Sequence, residues 1–311
     1  MLNRRTFLQW GSLSTTALLL QSLDTFAVTP SNLAFKSATP FQLKIMATNW
    51  GFKGSAMDFC AKAATAGYDG VEIWWSQDSL VQQEWFNALK QYHLEVGFLC
   101  GGHQSTWKEH FNSFSESLKA ATHHPNFRPL YINCHSGKDY FSMEDNLKFL
   151  ELTTQVQQET GIPIYHETHR GRMLFAAHIA KKFIENHPPL QLTLDISHWC
   201  NVHESLLQDQ QEAVGLALAH TSHIHSRIGH AEGPQVPDPR APEWDREVQA
   251  HFNWWDKVME RKKKAGGVMT VLTEFGPPNY MWTQPFTKEV LSDQWAINVH
   301  MMEVFRKRYQ F

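Results

Sequence analysis

The stretch IPIYHETHRGRMLFAAHIAKKFIENHPPLQLTLD, residues 162–195, contains one complete strand–helix–strand unit. IPIYHE predicts a strand, FAAHIAKKFIENH predicts a helix, and LQLTLD alternates leucines with polar residues as a half-buried strand does. Each predicted strand ends in a carboxylate, Glu167 in the first and Asp195 in the second. An alternation of this kind predicts a parallel sheet, because a helix returns the chain to the edge where the next strand starts.

The same alternation extends over most of the chain, from the segment FQLKIMATNW, which begins at residue 41, to the segment GVMTVLTEFG, which ends at residue 276. It gives eight strands, each followed by a predicted helix, with no Asn-Gly hairpin signal between them. Eight such units predict closure into a single-domain (β/α)₈ TIM barrel. The alternative is an open doubly wound sheet, which the lack of a G-x-G-x-x-G after the first strand disfavours.

Helix boundaries follow from capping residues. Ser55 predicts the start of the first helix and Gly67 its end, and Gly161 ends a helix over Met143–Thr160. The last three helices are expected at residues 205–218, about 244–265, and about 288–308.

The N-terminus has the pattern of a targeting segment. Arg4 and Arg5 precede Thr-Phe-Leu, a weakly apolar run follows, and a small-residue stop lies near Ala27. We predict a twin-arginine signal peptide at 1–27, with an ordinary secretory signal as the alternative. A linker at 28–41 and the barrel at 42–311 complete the organisation. The mature protein is therefore expected to be exported or periplasmic, with no membrane association after signal cleavage.

Composition excludes some functions. The net charge of -3 gives no electrostatic support for binding nucleic acid. The sequence carries no signal for an oligomeric state. The cysteines lie in different predicted elements without CxxC spacing, which predicts buried free thiols; they are Cys60, Cys100, Cys134 and Cys200.

Four acidic or imidazole side chains end strands five to eight: Glu167, Asp195, His225 and Glu274. About 28, 30 and 49 positions separate successive members, and one barrel unit takes roughly 30 residues. We therefore expect all four at the same mouth of the barrel. Two Glu, one Asp and one His form an oxygen-rich site for a divalent metal, whose charge offsets the repulsion between the carboxylates. The alternative is a structural network with Arg or Lys.

Strand alternation also predicts which side chains face the barrel axis. The leucines of LQLTLD should face the helices, whereas Asp195 should face the axis. Glu72 is expected inside the barrel in a structural ion pair. Two further sets should point inward on shared faces, namely Thr270 with Leu272 and Glu274, and Tyr131 with Asn133 and His135.

With these motifs, the chain resembles the xylose isomerase-like barrel superfamily of sugar isomerases and epimerases, from about Leu43 to Phe305. The resemblance rests on the strand-end residues above, on Asp195-x-x-His198, and on AATAGYDGVEIW near the start. It implies Mn²⁺, Mg²⁺, Co²⁺ or Zn²⁺ as the metal. It also implies that Glu167 and Glu274 act as an acid/base pair.

Five other residues are predicted to bind substrate: His198, Arg227, His135, His169 and Trp50. His198 has an alternative role, bonded to backbone at a turn, and Arg227 has another, a salt bridge to a ligand carboxylate. The Pro-rich loop at 230–244 and PPNYMWTQPF after strand eight should form ordered walls over the mouth.

A metal holding two adjacent substrate oxygens stabilises an enediolate while two Glu residues move protons. The expected function is isomerisation or epimerisation of an unphosphorylated sugar or keto-sugar. The alternative is a lyase or dehydratase that eliminates from a 3-keto sugar or glycoside. An AP-endonuclease-type nuclease and a non-catalytic sugar-binding protein are less favoured.

Overall fold

The computed structural model describes residues 40–309, so the predicted signal peptide and nearly all of the predicted linker lie outside the described residues. Eight parallel strands pair in chain order and close into a barrel. This confirms the (β/α)₈ TIM barrel fold and excludes an open sheet. The strands are β1 (Phe41–Thr48), β2 (Gly70–Trp74), β3 (Glu95–Gly101), β4 (Tyr131–His135), β5 (Ile164–Glu167), β6 (Leu192–Leu194), β7 (Thr221–His225) and β8 (Gly267–Thr273).

Helices follow each strand and cover the outside of the barrel. They are α1 (Ala56–Ala66), α2 (Ser79–Tyr92), α3 (Trp107–Thr122), α4 (Met143–Thr160), α5 (Ala177–Asn186), α6 (Ser197–Val202), α7 (Gln211–His220), α8 (Asp245–Ala265) and α9 (Gln294–Tyr309). Within residues 40–309, no helix has the length and apolar character needed to cross a membrane.

The predicted helix signals at α1 and α4 are confirmed. The Ser55 side chain accepts a hydrogen bond from Asp58 N–H, and the Asp58 carboxylate accepts one from the Ser55 backbone N–H, which forms a capping box. Gly67 ends α1 with φ 93°, and Gly161 ends α4 with φ 64°. Both glycines adopt the left-handed conformation that side chains with a Cβ disfavour.

The helix predicted at 205–218 is wrong in its first part. A short helix, α6, follows β6 directly, and α7 begins only at Gln211. Glu204 and Leu207 have φ values of 46° and 58°, which a right-handed helix cannot contain. The chain therefore turns twice between α6 and α7.

The final helix also begins later than predicted, at Gln294 instead of about residue 288. Phe286 and Lys288 have φ values of 68° and 64°. An antiparallel bridge joins Thr283 to Val290, so this segment is a compact loop.

Side chains point as strand alternation predicts. Leu192 and Leu194 are buried in the main core between the strands and helices. Met46, Tyr131 and Leu272 form a separate small cluster of buried residues. The four cysteines are buried free thiols, as expected.

Candidate metal and substrate site

Four side chains converge at the C-terminal mouth of the barrel. One ligand atom from each of Glu167, Asp195, His225 and Glu274 lies within 4.8 Å of every other. Glu167 and His225 are the last residues of β5 and β7, and the other two directly follow β6 and β8. All are buried except Glu274, whose side chain is 13% exposed. We call these four residues the carboxylate–histidine centre.

The imidazole of His225 presents one nitrogen to this centre. Its Nδ1 lies 2.9 Å from Glu274 Oε2 and 3.6 Å from Glu167 Oε2. His225 Nδ1 and Glu274 Oε2 are both buried, and beyond this ion pair with each other neither has a hydrogen-bond partner among the described residues. Burial disfavours a charged His225, but Glu274 and Glu167 raise its pKa well above the ordinary range. The carboxylates therefore favour a positive charge at His225.

The other nitrogen of His225 faces a second buried carboxylate. His225 Nε2 lies 3.3 Å from Glu72 Oε1. Asn133 Nδ2 lies 3.2 Å from the same nitrogen. A carboxylate that accepts a hydrogen bond from Nε2–H leaves the lone pair on Nδ1, directed at the carboxylate–histidine centre. Glu72 is therefore placed to favour the tautomer that a metal would need.

Several side chains surround Glu72. We call Glu72, Tyr131, Asn133, His223 and His225 the Glu72 network. Glu72 Oε2 accepts a hydrogen bond from Tyr131 Oη at 2.9 Å, and His223 Nε2 lies 3.2 Å from the same oxygen. Asn133 Nδ2 donates to Oε1 at 3.3 Å. Burial alone would raise the pKa of Glu72, but His225 and His223 hold it well below its usual value. The ion pair expected inside the barrel is present.

Glu167 links the centre to the cavity. Its Oε2 accepts hydrogen bonds from Asn133 Nδ2 and from His135 Nε2, both at 2.8 Å. Burial would raise the pKa of Glu167, whereas His135 and His225 hold it well below the ordinary range. Glu167 is therefore a carboxylate in contact with a histidine that lines the cavity.

Arg227 forms a salt bridge with Asp195, one of the two roles predicted for it. Its Nη2 also lies 3.5 Å from Glu274 Oε2. Asp195 Oδ1 accepts hydrogen bonds from the backbone N–H and hydroxyl of Ser197. Burial raises the pKa of Asp195 to about 6, although Arg227 opposes the shift. The guanidinium offsets part of the negative charge that the carboxylates bring.

A cavity of about 400 Å³ opens beside the centre. Of the predicted substrate-binding residues, His135, His169, Trp50 and Arg227 line it. His198 does not; it is fully buried, with its ring 3.9 Å from that of His169 and Nε2 2.9 Å from Arg227 Nη2. Hydrogen bonding of His198 to the backbone at a turn, its alternative role, is not seen among the described contacts.

The side chains that line the cavity and were not predicted from the sequence include Trp74, Arg172 and Tyr280. Tyr280 lies in the loop after β8 that was predicted as a wall of the mouth. Its position in that loop was the sequence feature from which its place in the cavity could have been predicted. The other wall is ordered as well: Gln235 exchanges two hydrogen bonds with the Gly276 backbone, at 2.7 and 3.2 Å.

Within residues 40–309, two further groups of side chains have metal-ligand geometry. Glu72, His223 and His225 form one, and His135, Glu167 and His169 form the other. Both share a residue with the carboxylate–histidine centre. In the first, hydrogen bonds already occupy the Glu72 oxygens, and each of these groups offers three ligand atoms where the carboxylate–histidine centre offers four.

The sequence matches no protein-family model, and no curated protein matches it. Solved structures do share the fold. The probable 3-DHS dehydratase AsbF from Bacillus anthracis is 15% identical (TM-score 0.55, 86% of this chain and 100% of that chain). An AP endonuclease, family 2, from Brucella melitensis is 18% identical (TM-score 0.52, covering 76% of this chain and 94% of that chain). A xylose isomerase domain containing protein from Salmonella typhimurium LT2 is 13% identical (TM-score 0.55, covering 84% of this chain and 95% of that chain). At these identities the likeness establishes the fold alone.

Proposed function

We propose that this protein is a divalent-metal-dependent enzyme that isomerises or epimerises an unphosphorylated sugar or keto-sugar. The observation that carries the proposal is the convergence of four ligand atoms within 4.8 Å. Two of these groups, Glu274 and His225, form a buried ion pair in which Glu274 Oε2 and His225 Nδ1 lie 2.9 Å apart. A bound cation would be a shared partner for both groups and would offset the charge of the three carboxylates around it.

Glu167, Asp195, His225 and Glu274 would hold the metal, and the donor set suits Mn²⁺, Mg²⁺, Co²⁺ or Zn²⁺. When bound, the ion would stabilise negative charge on adjacent substrate oxygens as a neighbouring carbon loses its proton. Arg227 contributes a fixed positive charge beside Asp195 and lines the cavity. It would therefore balance the three carboxylates and orient a substrate oxygen.

Glu274 and Glu167 are the proposed acid/base pair. Glu274 directly follows β8 and Glu167 is the last residue of β5, and these two strands are not neighbours in the barrel. One Glu removes a proton from carbon and the other delivers one. Delivery to the opposite face of the same carbon gives epimerisation, and delivery to the adjacent carbon gives isomerisation. Glu274 lines the cavity itself, whereas Glu167 is reached through His135, which would relay its proton.

Aromatic side chains support a sugar as the substrate class. Trp50, Trp74 and Tyr280 line the cavity, and the Trp50 and Tyr280 rings meet edge-to-face at 4.9 Å. Flat apolar rings of this kind suit the C–H faces of a sugar ring. The cavity volume of about 400 Å³ lies within the range of small-molecule sites.

A metal-dependent lyase or dehydratase acting on a 3-keto sugar or glycoside is the second candidate. The carbanion that is left when the carbon next to the carbonyl loses its proton would expel a leaving group from the β carbon, if one is present there. His135 favours this alternative, because its imidazole lines the cavity and offers a further proton donor for the departing oxygen.

A nuclease is disfavoured by the net charge of -3, since nucleic-acid sites are basic. A non-catalytic sugar-binding protein would not need two carboxylates suited to acid/base work. Export through the segment at 1–27 remains a prediction from the sequence, and it agrees with a substrate met outside the cytoplasm.

The proposal is tested by proton exchange. The metal-loaded protein is incubated in D₂O with unphosphorylated ketoses and 3-keto glycosides, and deuterium is located by NMR. We expect deuterium at a carbon next to a carbonyl, and loss of exchange after chelation of the metal. An epimeric or isomeric sugar supports the leading function, and an unsaturated ketone absorbing in the ultraviolet supports the lyase. Cleavage of abasic DNA, or exchange that is unaffected by chelation, contradicts the proposal.

A further inference from the structure

Arg172 lies in the loop between β5 and α5 and forms part of the cavity wall. Gly171 precedes it with φ 72°, and Arg172 N–H donates to His169 O at 3.1 Å, which closes a tight turn. The next residue, Met173, is buried and anchors the loop in the core. The backbone therefore holds Arg172 at the mouth instead of leaving it on a free loop.

The two cavity arginines differ in their partners. Arg227 is paired with Asp195 and lies near Glu274. Among residues 40–309, Arg172 forms no ion pair and no side-chain hydrogen bond, and its Nη1 is buried without a partner. A buried guanidinium N–H without an acceptor is costly, so this position is one that a ligand acceptor would stabilise.

The charges around Arg172 leave it positive. Burial lowers the pKa of Arg172, and Glu167 and Asp139 oppose that shift from a distance. Arginine nevertheless stays protonated in proteins. Burial lowers the pKa of Lys138, and the nearby Arg172 lowers it further, so a second cation lies near this edge. This edge of the cavity is therefore suited to an anion.

We propose that Arg172 binds a carboxylate of the substrate, so that the preferred substrates are sugar acids or keto-sugar acids. The reaction assigned to them rests on the proposed function, but the binding does not. A planar guanidinium fork matches a carboxylate through two parallel hydrogen bonds. Phosphate sites commonly add backbone N–H groups from the first turn of a helix. None of the described residues that line the cavity lies in such a turn.

The reacting end and this subsite share one cavity. Glu274, which belongs to the carboxylate–histidine centre, Arg227 and Arg172 all line it. The rings of His135 and His169 lie 4.8 Å apart and both border the same cavity. A sugar acid would place its carbonyl and hydroxyl oxygens at the centre and its carboxylate at Arg172.

The test is calorimetric titration of the metal-loaded full chain with D-galacturonate and D-glucuronate, compared with D-galactose, D-glucose and D-galactose 6-phosphate. We expect uronates to bind at least about tenfold more tightly than the parent sugars, since a charge-assisted hydrogen bond contributes roughly 1.5–3 kcal/mol. Arg172→Gln should remove that preference while leaving metal content and neutral-sugar affinity unchanged. Arg172→Lys should keep part of it, because the charge remains without the fork.

Arg170→Gln is the matched control. Arg170 lies in the same loop, but it donates to Asn201 at 2.9 Å and does not line the cavity. The preference for uronates should survive this change. Equal binding of uronates and neutral sugars, a preference that persists in Arg172→Gln, or tighter binding of the phosphate overturns the proposal. A preference that depends on Arg172 without deuterium exchange in any ligand supports the subsite and contradicts the proposed reaction.

Discussion

Two buried groups of charged side chains lie next to each other in this barrel, and they differ in how their carboxylate oxygens are bonded: both oxygens of Glu72 accept hydrogen bonds, whereas Glu274 Oε2 accepts none. In the Glu72 network, Tyr131, Asn133 and two histidines surround one carboxylate. In the carboxylate–histidine centre, Glu274 Oε2 and His225 Nδ1 have no hydrogen-bond partner. A carboxylate that accepts hydrogen bonds at both oxygens is fixed in orientation, whereas a carboxylate oxygen that accepts none is suited to binding. His225 belongs to both groups and transmits the orientation from one to the other.

The largest effect is expected from changing the unsatisfied centre. Glu274→Gln keeps the size of the side chain but removes its ability to take a proton. We expect the fold to persist and the rate of solvent deuterium exchange to fall by roughly 10²–10⁴-fold. Circular dichroism monitors the fold, and NMR measures the exchange. Full exchange activity in this variant would refute the assignment of Glu274 as an acid/base group.

The second prediction concerns the coupling through His225. Glu72→Gln removes the carboxylate that fixes the His225 tautomer, and we expect metal affinity to weaken by roughly 10–100-fold. Competition with a fluorescent chelator measures the affinity, and ¹⁵N NMR of the imidazole reports the tautomer. Unchanged affinity and tautomer would mean that Glu72 has a structural role only.

A third prediction uses a satisfied network outside the site. His166 contacts Ser136 Oγ through Nδ1 at 2.6 Å and Thr153 Oγ1 through Nε2 at 2.8 Å. Burial lowers the pKa of His166 from 6.5 to about 3. Below pH 6.5 the unfolded chain binds a proton that the native His166 does not. The contribution of His166 to stability is therefore present above pH 6.5 and is lost as the pH falls towards 3.

Within that window, His166 should account for a fall of about 1.36 kcal/mol in unfolding free energy per pH unit. Urea unfolding at pH 7, 6 and 5 measures it. His166→Gln should flatten the slope by about this amount. Identical slopes in the two proteins would show that His166 is not held neutral.

The smallest effect is expected for Tyr131→Phe, which removes one donor from Glu72 and leaves the carboxylate in place. We expect a loss of about 1 kcal/mol in unfolding free energy and a smaller change in metal affinity than for Glu72→Gln. Urea unfolding and the same chelator competition provide both values. A larger effect on metal binding than that of Glu72→Gln would contradict the order of importance within the network.

The barrel could be predicted because its signals are local. Strand alternation and caps such as Ser55 and Gly161 depend on neighbours in sequence. The convergence of Glu167, Asp195, His225 and Glu274 followed from a general property of parallel barrels, which place strand ends at one mouth. The side of each strand to which a side chain points was also predictable, because successive side chains of a strand alternate between its two faces.

Tertiary contacts decided the rest. The positive φ values at Glu204, Leu207 and Lys288 depend on the packing of loops, and they moved two helix boundaries. The partner of Arg227 was left open between substrate and carboxylate, since sequence does not show which neighbour is nearer. Arg172 gave no signal at all, because its place in the cavity depends on the left-handed turn at Gly171.

The central claim, that four side chains share one cation, is tested most directly by titrating the chelator-stripped protein with Mn²⁺ while measuring free Mn²⁺ by electron paramagnetic resonance. We predict saturable binding that is abolished in the double variant Asp195→Asn/His225→Gln and retained in the control His166→Gln. Absence of saturable binding in the unaltered protein, or the same affinity in the double variant, would contradict the account.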